Sequence, residues 1–133
     1  MRLRDRLARA AVGAGLMRRG TALLETTGRK SGKPRVTPVT NGLDGDVFWI
    51  VTEHGHRASY VQNIAANPRV RVRAGRRWRS GVARVVDEAP EARLRVIEEL
   101  NPGAKANAEI VRRSATELLV IRVDLDVDAL RDA

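Results

Sequence analysis

Residues 69–74, with the sequence RVRVRA, alternate strictly between arginine and an apolar side chain. Val70, Val72 and Ala74 would face one side of an extended strand, with the three arginines on the other. Such a period of two fits a strand that has one buried and one solvated face. Gly75 then favours a reversal of the chain into a second strand. This pair indicates an antiparallel sheet rather than a helical bundle.

Further strand-like runs flank this pair, and turn residues separate most of them. We predict strands over residues 21–27, 34–41, 47–52, 69–74, 78–87 and 117–125, and short helices over residues 60–66, 90–100 and 104–113. Asp44-Gly45 favours a hairpin, and Asn67-Pro68 ends the first of these helices. Six short strands joined mostly by hairpins predict a mainly β, α+β fold, in which an antiparallel sheet curls into a small barrel.

The length of 133 residues is sufficient for one domain with a modest core. We predict a basic amphipathic helix over residues 1–20 and a single barrel domain over residues 21–133. No run approaches the ~20 apolar residues that span a bilayer. The N-terminus lacks a secretory apolar core, so we expect a cytoplasmic location. For the basic helix, capping of the sheet and peripheral contact with a membrane both stay open.

The residue types present exclude several kinds of chemistry. The chain has no cysteine, which excludes thiol catalysis, disulfides and cysteine-ligated metals. Its two histidines, His54 and His56, are too close in sequence for a usual zinc triad. We therefore expect no metal site.

The positive charge is unevenly distributed along the chain. The formal net charge is +9, with +5 on residues 1–20, +8 on residues 21–86 and −4 on residues 87–133. An anionic partner is therefore expected to bind the first two-thirds of the chain.

Four of these positive charges lie in a short turn with the sequence GRKSGKPR, residues 28–35. Gly28 and Gly32 bracket the turn, and we expect the turn to expose backbone N–H groups among four cationic side chains. A turn of this kind attracts an anion such as a phosphate. It is not a P-loop, because only three residues separate the glycines and Pro34 follows Lys33 where a P-loop has Ser or Thr.

Two motifs together carry a resemblance to a known family. They are TTGRKSGKPRVTPV and, after a hairpin and an apolar strand, YVQNIAANPRVRV. This combination resembles the deazaflavin-dependent nitroreductase or quinone reductase family, whose members are FMN-binding-like split β-barrels that bind coenzyme F420. The resemblance implies hydride transfer from reduced F420 to a small organic acceptor, such as a quinone, an activated alkene or a nitro compound.

The resemblance also implies a set of cofactor-binding positions and no side chain with a covalent catalytic role. F420 carries a phosphodiester and a glutamate tail, which the family holds with positions matching Arg29, Lys30, Ser31, Gly32 and Arg35. The deazaflavin ring would be bordered by positions matching Thr37, Pro38, Val51, Thr52, Tyr60 and Asn63. Glu53-His54 departs from the family, since several members have a lysine just after the hydroxyl residue. Proton delivery is open between solvent, Tyr60 and His54.

Other functions stay open beside this one. FMN is a less favoured cofactor, since its phosphate would also suit the turn, and a non-catalytic F420 or FMN carrier is the main alternative. A basic nucleic-acid-binding module is a further alternative, because Trp78 stands among arginines. Four aromatic residues in the whole chain provide little base stacking, so we expect no nucleic acid partner. We expect a monomer or a weak dimer.

Overall fold

A computed structural model describes residues 20–127 of the chain. Its strands are β1 Thr21–Thr27, β2 Pro34–Thr40, β3 Leu43–Asp44, β4 Val47–Thr52, β5 Arg69–Arg73, β6 Trp78–Val86 and β7 Leu119–Leu125. Its helices are α1 Ser59–Ala66, α2 Pro90–Leu100 and α3 Lys105–Ser114, with 3-10 turns at Gly55–Arg57 and Pro102–Ala104. Within this range the strands form one antiparallel sheet in the order β2-β1-β5-β6-β7-β4-β3.

The predicted mainly β fold, with its six strands and three helices, is confirmed, and most element boundaries agree within one residue. The short strand β3 was not predicted, because two residues are too few to show a period. Residues 117 and 118 precede β7, since Glu117 instead forms an isolated bridge with His54. The helix predicted over residues 1–20 falls on a segment that the structure does not describe.

The alternation in β5 is confirmed by the burial of its side chains. Val70 and Val72 are buried inside the curled sheet, while Arg69 is exposed. The barrel core consists of Ala22, Leu24, Val39, Phe48, Ile50, Val61, Ile64, Val70, Val72, Ala83, Ile121, Val123 and Leu125. Side chains from both ends of the sheet therefore meet in one core, as a curled sheet requires.

A second core lies on the outer face of β4 and β7, beneath α2 and α3. Trp49, Val51 and Val120 pack there against Leu94 and Ile97 of α2, together with residues of α3. Both faces of β4 are thus buried. This explains why its sequence, VFWIVT, is apolar throughout rather than alternating.

Charged contacts hold the two helices together over this core. Arg112 of α3 contacts Glu91 and Glu98 of α2 at 3.0 and 2.5 Å, and Glu109 of its own helix at 2.6 Å. Arg93 of α2 lies over the ring of Trp49, with 3.6 Å from its guanidinium carbon to the ring centroid. These contacts fix α3 near the end of β4.

The two ends of the sheet do not join into a closed barrel. β2 is one edge strand and carries Pro34 and Pro38, which edge positions tolerate. At the other end, β3 pairs only with the start of β4, at Val47 and Phe48. The curl brings β2 close to β4 and leaves an opening between them.

Candidate functional site

A cavity of about 500 Å³ fills the opening between β2, the end of β4 and α3. Its walls come from five parts of the chain: Thr21 at the start of β1; Thr37, Pro38, Val39 and Thr40 of β2; Ile50 and Val51 of β4; Glu53, His54, Ala58 and Tyr60 after β4; and Gly103, Ala106, Asn107, Ile110 and Val111 in α3 and the turn before it. Of the predicted site residues, this cavity brings together Thr37, Pro38, Val51 and Tyr60.

The backbone of β4 offers hydrogen-bonding groups to the cavity. The N–H of Trp49 donates to the carbonyl of Gly42 at 2.9 Å, on the side of β4 that faces away from β7. Alternate residues of a strand direct their N–H and C=O groups to the same side. Val51 therefore presents one donor and one acceptor to the opening beyond β3.

The Thr52 side chain lies on the opposite face of β4 from the Val51 side chain, because neighbouring side chains point to opposite faces of a strand. It is fully buried, on the barrel side with Phe48 and Ile50, and its side chain is absent from the cavity wall. Its hydroxyl has no hydrogen-bond partner among residues 20–127. The structure thus brings Val51, and not the Thr52 side chain, to the cavity.

The β1–β2 turn is held by its own hydrogen bonds. The N–H of Gly28 donates to the carbonyl of Lys33, and the N–H of Gly32 donates to the carbonyl of Gly28, both at 2.8 Å. Gly32 adopts a left-handed φ of 71°. The Ser31 hydroxyl accepts from the N–H of Lys33 at 3.1 Å and from Nη2 of Arg35 at 3.2 Å. The N–H groups of Gly28 and Gly32 are thus both used within the turn and are not among the backbone donors that the turn can offer to an anion.

Asn63 anchors this turn to the barrel. Its side chain is only 2% exposed, and its Oδ1 accepts from the backbone N–H and Nη1 of Arg29 at 3.1 and 2.9 Å. Its Nδ2 donates to the hydroxyl of buried Thr26 at 3.1 Å. Nη1 of Arg29 also donates to the hydroxyl of Ser59 at 3.2 Å. Asn63 therefore lies beneath the turn, and Arg29 is partly committed to holding it in place.

The remaining cations of the turn form no ion pair with any residue of the described range. Lys30, Lys33 and Arg35 are exposed, and none has an acidic partner within residues 20–127. Arg35 lies opposite Thr26, and Thr37 lies opposite Leu24, which is part of the barrel core. Arg35 and Thr37 therefore share the inward face of β2, about 7 Å apart along the strand. Arg35 therefore lies beyond the cavity residue Thr37, toward the turn that carries Lys30 and Lys33.

The opposite wall carries the ionisable side chains of the cavity. The carbonyl of Glu53 accepts the N–H groups of Thr116 and Glu117 at 2.9 and 3.1 Å. Nδ1 of His54 lies 3.1 Å from the Thr116 hydroxyl, and its Nε2 lies 3.9 Å from Oε2 of Glu53. Burial, and secondly the charge of Glu53, raise the pKa of Tyr60 well above its ordinary value. Tyr60 therefore keeps its proton at neutral pH.

Sequence reasoning missed the contribution of α3 to the cavity. Ala106, Asn107 and Ile110 line it, and Nδ2 of Asn107 donates to the hydroxyl of Thr21 at 3.0 Å. The helical period of this segment predicts a buried face, which Ala108 and Val111 supply. It contains no signal that the neighbouring face borders a cavity.

Comparison with known proteins relates this geometry to a family. The family model described as F420H(2)-dependent quinone reductase matches residues 1–126. The chain belongs to this family. Its match to an F420H(2)-dependent quinone reductase of Mycobacterium tuberculosis is 39% identical over 56 residues, 40% of this chain and 38% of the relative. The chain thus matches about two fifths of the length of its curated family relatives.

Solved structures confirm the fold that the family implies. An F420-H2 dependent reductase superposes with a TM-score of 0.58 at 26% identity, covering 79% of this chain and 94% of that one. A heme storage protein of Vibrio cholerae reaches the same TM-score at 17% identity, covering 96% and 93% of the two chains. The split barrel predicted from the sequence is therefore confirmed. Because it also occurs in a heme storage protein, the barrel alone does not define a function.

The nucleic-acid alternative is not favoured. Trp78 packs against buried Leu23, and the guanidinium of Arg71 lies 5.4 Å from its ring centroid. The ring is thus committed to packing rather than presented for base stacking. No helix within residues 20–127 has the length and apolar character to cross a membrane. Peripheral membrane contact and the oligomeric state stay predictions.

Proposed function

We propose that the cavity binds coenzyme F420 and that the protein uses its reduced form to reduce a small, largely apolar acceptor such as a quinone. Membership of the F420H(2)-dependent quinone reductase family supports this proposal. The observation that carries it is the position of three unpaired cations, Lys30, Lys33 and Arg35, beside the strand that lines the cavity.

The charges give the cavity a direction. A polyanionic tail would lie along β2 toward Lys30, Lys33 and Arg35, where attraction is strongest. The same tail would be repelled from Glu53 at the other wall. The internal hydrogen bonds of the turn hold the cations in place before binding, which reduces the entropy lost on binding.

The walls also fit the ring of the cofactor. Val51 presents a backbone donor and acceptor, and Val39 and Ile50 supply apolar contact. Thr37 and Pro38 border the same space on β2. When bound, reduced F420 supplies the hydride, so the protein itself need only bind, orient and exclude water. The fully buried Thr52 would contribute by packing rather than by contact with the ring.

The acceptor would bind against α3. Ala106 and Ile110 present an apolar surface there, and the Ile110 side chain is 56% exposed at the cavity mouth. Such a surface suits a flat apolar molecule such as a quinone. Tyr60 stays protonated and is therefore able to donate a hydrogen bond to an acceptor oxygen.

Titration with F420 and with FMN tests the cofactor, with binding followed by the change in cofactor fluorescence. We expect F420 to bind more tightly, because three cations face its longer anionic tail. The double variant Lys30→Ala, Arg35→Ala should weaken F420 binding by about tenfold or more. Arg95→Ala, Arg113→Ala, which removes two exposed arginines that do not line the cavity, is the matched control.

Oxidation of F420H2 by a naphthoquinone then tests the activity. Turnover supports the enzyme, whereas tight F420 binding without turnover of quinone, activated alkene or nitro compound would support a carrier. Unchanged F420 affinity in the double variant would refute the proposed tail site. If FMN bound more tightly than F420, FMN and not F420 would be the cofactor.

A further inference from the structure

The cavity wall contains three ionisable side chains, Glu53, His54 and Tyr60, and all lie on the wall opposite the turn. The Tyr60 phenol carries its proton at neutral pH, as an ordinary tyrosine does, and its raised pKa extends this to more alkaline pH. Glu53 supplies the single carboxylate among the side chains of this wall. No lysine or arginine of residues 20–127 forms an ion pair with it.

The charge of Glu53 acts on the inside of the cavity. It contributes to the raised pKa of Tyr60, after burial, so its field reaches a second wall residue. Nε2 of His54 lies 3.9 Å from Oε2 of Glu53, and the His54 side chain is half exposed. The backbone carbonyl of Glu53 accepts the N–H groups of Thr116 and Glu117, which fixes the point at which its side chain leaves the backbone at this wall.

From these observations we propose that Glu53 determines the charge of the acceptor, excluding anionic molecules and admitting neutral ones. This inference rests on the proposed function, because it assumes that the cofactor tail occupies the basic end. When the cofactor tail is bound, Lys30, Lys33 and Arg35 are paired with it and are not available to an anionic acceptor. Its carboxylate or sulfonate must lie near Glu53, where like charges repel.

The test compares 2-methyl-1,4-naphthoquinone, which is neutral, with 1,4-naphthoquinone-2-sulfonate, which is an anion. The ratio of kcat/KM for the neutral over the anionic quinone is measured with F420H2 in each variant. Intrinsic differences in reactivity between the two quinones cancel when ratios are compared between variants. Glu53→Gln should lower the ratio about tenfold, and Glu53→Lys should lower it further.

Two controls separate the local charge from other effects. Glu99→Gln removes an exposed acidic side chain of α2 that does not line the cavity, so it changes the net charge equally. It should leave the ratio unchanged. His54→Gln should preserve the preference for the neutral quinone, since the preference comes from Glu53. An equal ratio in the wild type and in Glu53→Gln would overturn the proposal.

A binding measurement gives a second readout that requires no turnover. Equilibrium dialysis of the same two quinones uses cofactor-free protein in the Lys30→Ala, Arg35→Ala background, which removes two of the three cations of the competing basic end. Adding Glu53→Gln should increase retention of the sulfonate about tenfold and change retention of the neutral quinone little. Unchanged sulfonate retention would overturn the proposal. If the wild type neither binds F420 nor oxidises F420H2, the proposed function fails, and dialysis alone then decides the role of Glu53.

Discussion

The two ends of the cavity are built on different physical principles. At the β1–β2 turn, hydrogen bonds from Asn63 and Ser31 fix a polar framework, and three cations project from it into solvent. At the β4–α3 end, apolar packing forms the wall and Glu53 supplies a single charge. The turn end is thus suited to binding a charged group. The α3 end is suited to an apolar molecule, and the charge of Glu53 there would favour neutral molecules over anions.

The strongest test of this contrast is removal of the anchor beneath the turn. Asn63→Ala leaves Thr26 and two Arg29 donors without their partner in a buried site. We expect a loss of about 2–4 kcal/mol in the free energy of unfolding, measured with urea. Gln62→Ala is the control, because its amide contacts only exposed backbone carbonyls of His56 and Arg57. Equal losses in both variants would show that Asn63 is not an anchor.

The effect of salt concentration on binding should distinguish the two ends of the cavity. Raising the salt from about 50 to about 500 mM should weaken F420 binding roughly tenfold, because the cations of the turn are exposed and screened. The Lys30→Ala, Arg35→Ala variant should show a much flatter dependence. Acceptor KM for a neutral quinone should change little over the same range. A steep salt effect on that KM instead would contradict the division between a charged end and an apolar end.

Two glycines test whether the shape of the turn, and not stability alone, matters for binding. Gly32 and Gly45 have φ values of 71° and 61°, and a Cβ at either would meet nothing within 4 Å. Replacing either by alanine should cost about 1 kcal/mol of folding free energy, from backbone strain alone. Only Gly32→Ala should also weaken F420 binding, by a few-fold. Equal F420 affinity in the two variants would mean that the turn geometry does not set affinity.

The raised pKa of Tyr60 makes a prediction at alkaline pH. Below about pH 10 the tyrosine is protonated in both the folded and the unfolded chain, so its contribution is constant. Above that pH the unfolded chain loses the proton first, so stability falls as pH rises toward the folded-state pKa. In Tyr60→Phe, the free energy of unfolding should fall less at alkaline pH than in the wild type, as measured by urea unfolding from pH 8 to 11.

Because Tyr60 is the single tyrosine of the chain, tyrosinate absorbance checks the same point directly. The folded protein should show less tyrosinate than the denatured protein at the same alkaline pH. Equal absorbance would mean that Tyr60 is not shielded at the cavity wall.

The sequence predicted the sheet well, because period-two alternation and turn residues are local signals. The run GRKSGKPR likewise predicted where the cations lie, since their spacing is contained in eight residues. That the Val51 and Thr52 side chains lie on opposite faces of β4 also follows from alternation alone. Neighbouring residues cannot both direct their side chains to one face of a strand.

Contacts between segments that are distant in sequence could not be predicted from local patterns. The bonds from Asn63 to Arg29 and Thr26 span 34 and 37 positions, and no local pattern marks them. The use of both glycine N–H groups inside the turn depends on the carbonyl positions of a folded loop. The contribution of α3 to the cavity depends on ion pairs with α2, which decide where the helix lies.

The prolines of β2 have a consequence for the assembly of the barrel. An edge strand with a full set of free N–H groups is a template on which another strand can pair. Pro34 and Pro38 carry no N–H, so β2 is a poor template for β4, for a second copy of the chain or for an extended peptide. The opening between β2 and β4 thus persists because β2, at one side of it, lacks backbone N–H donors that strand pairing would need.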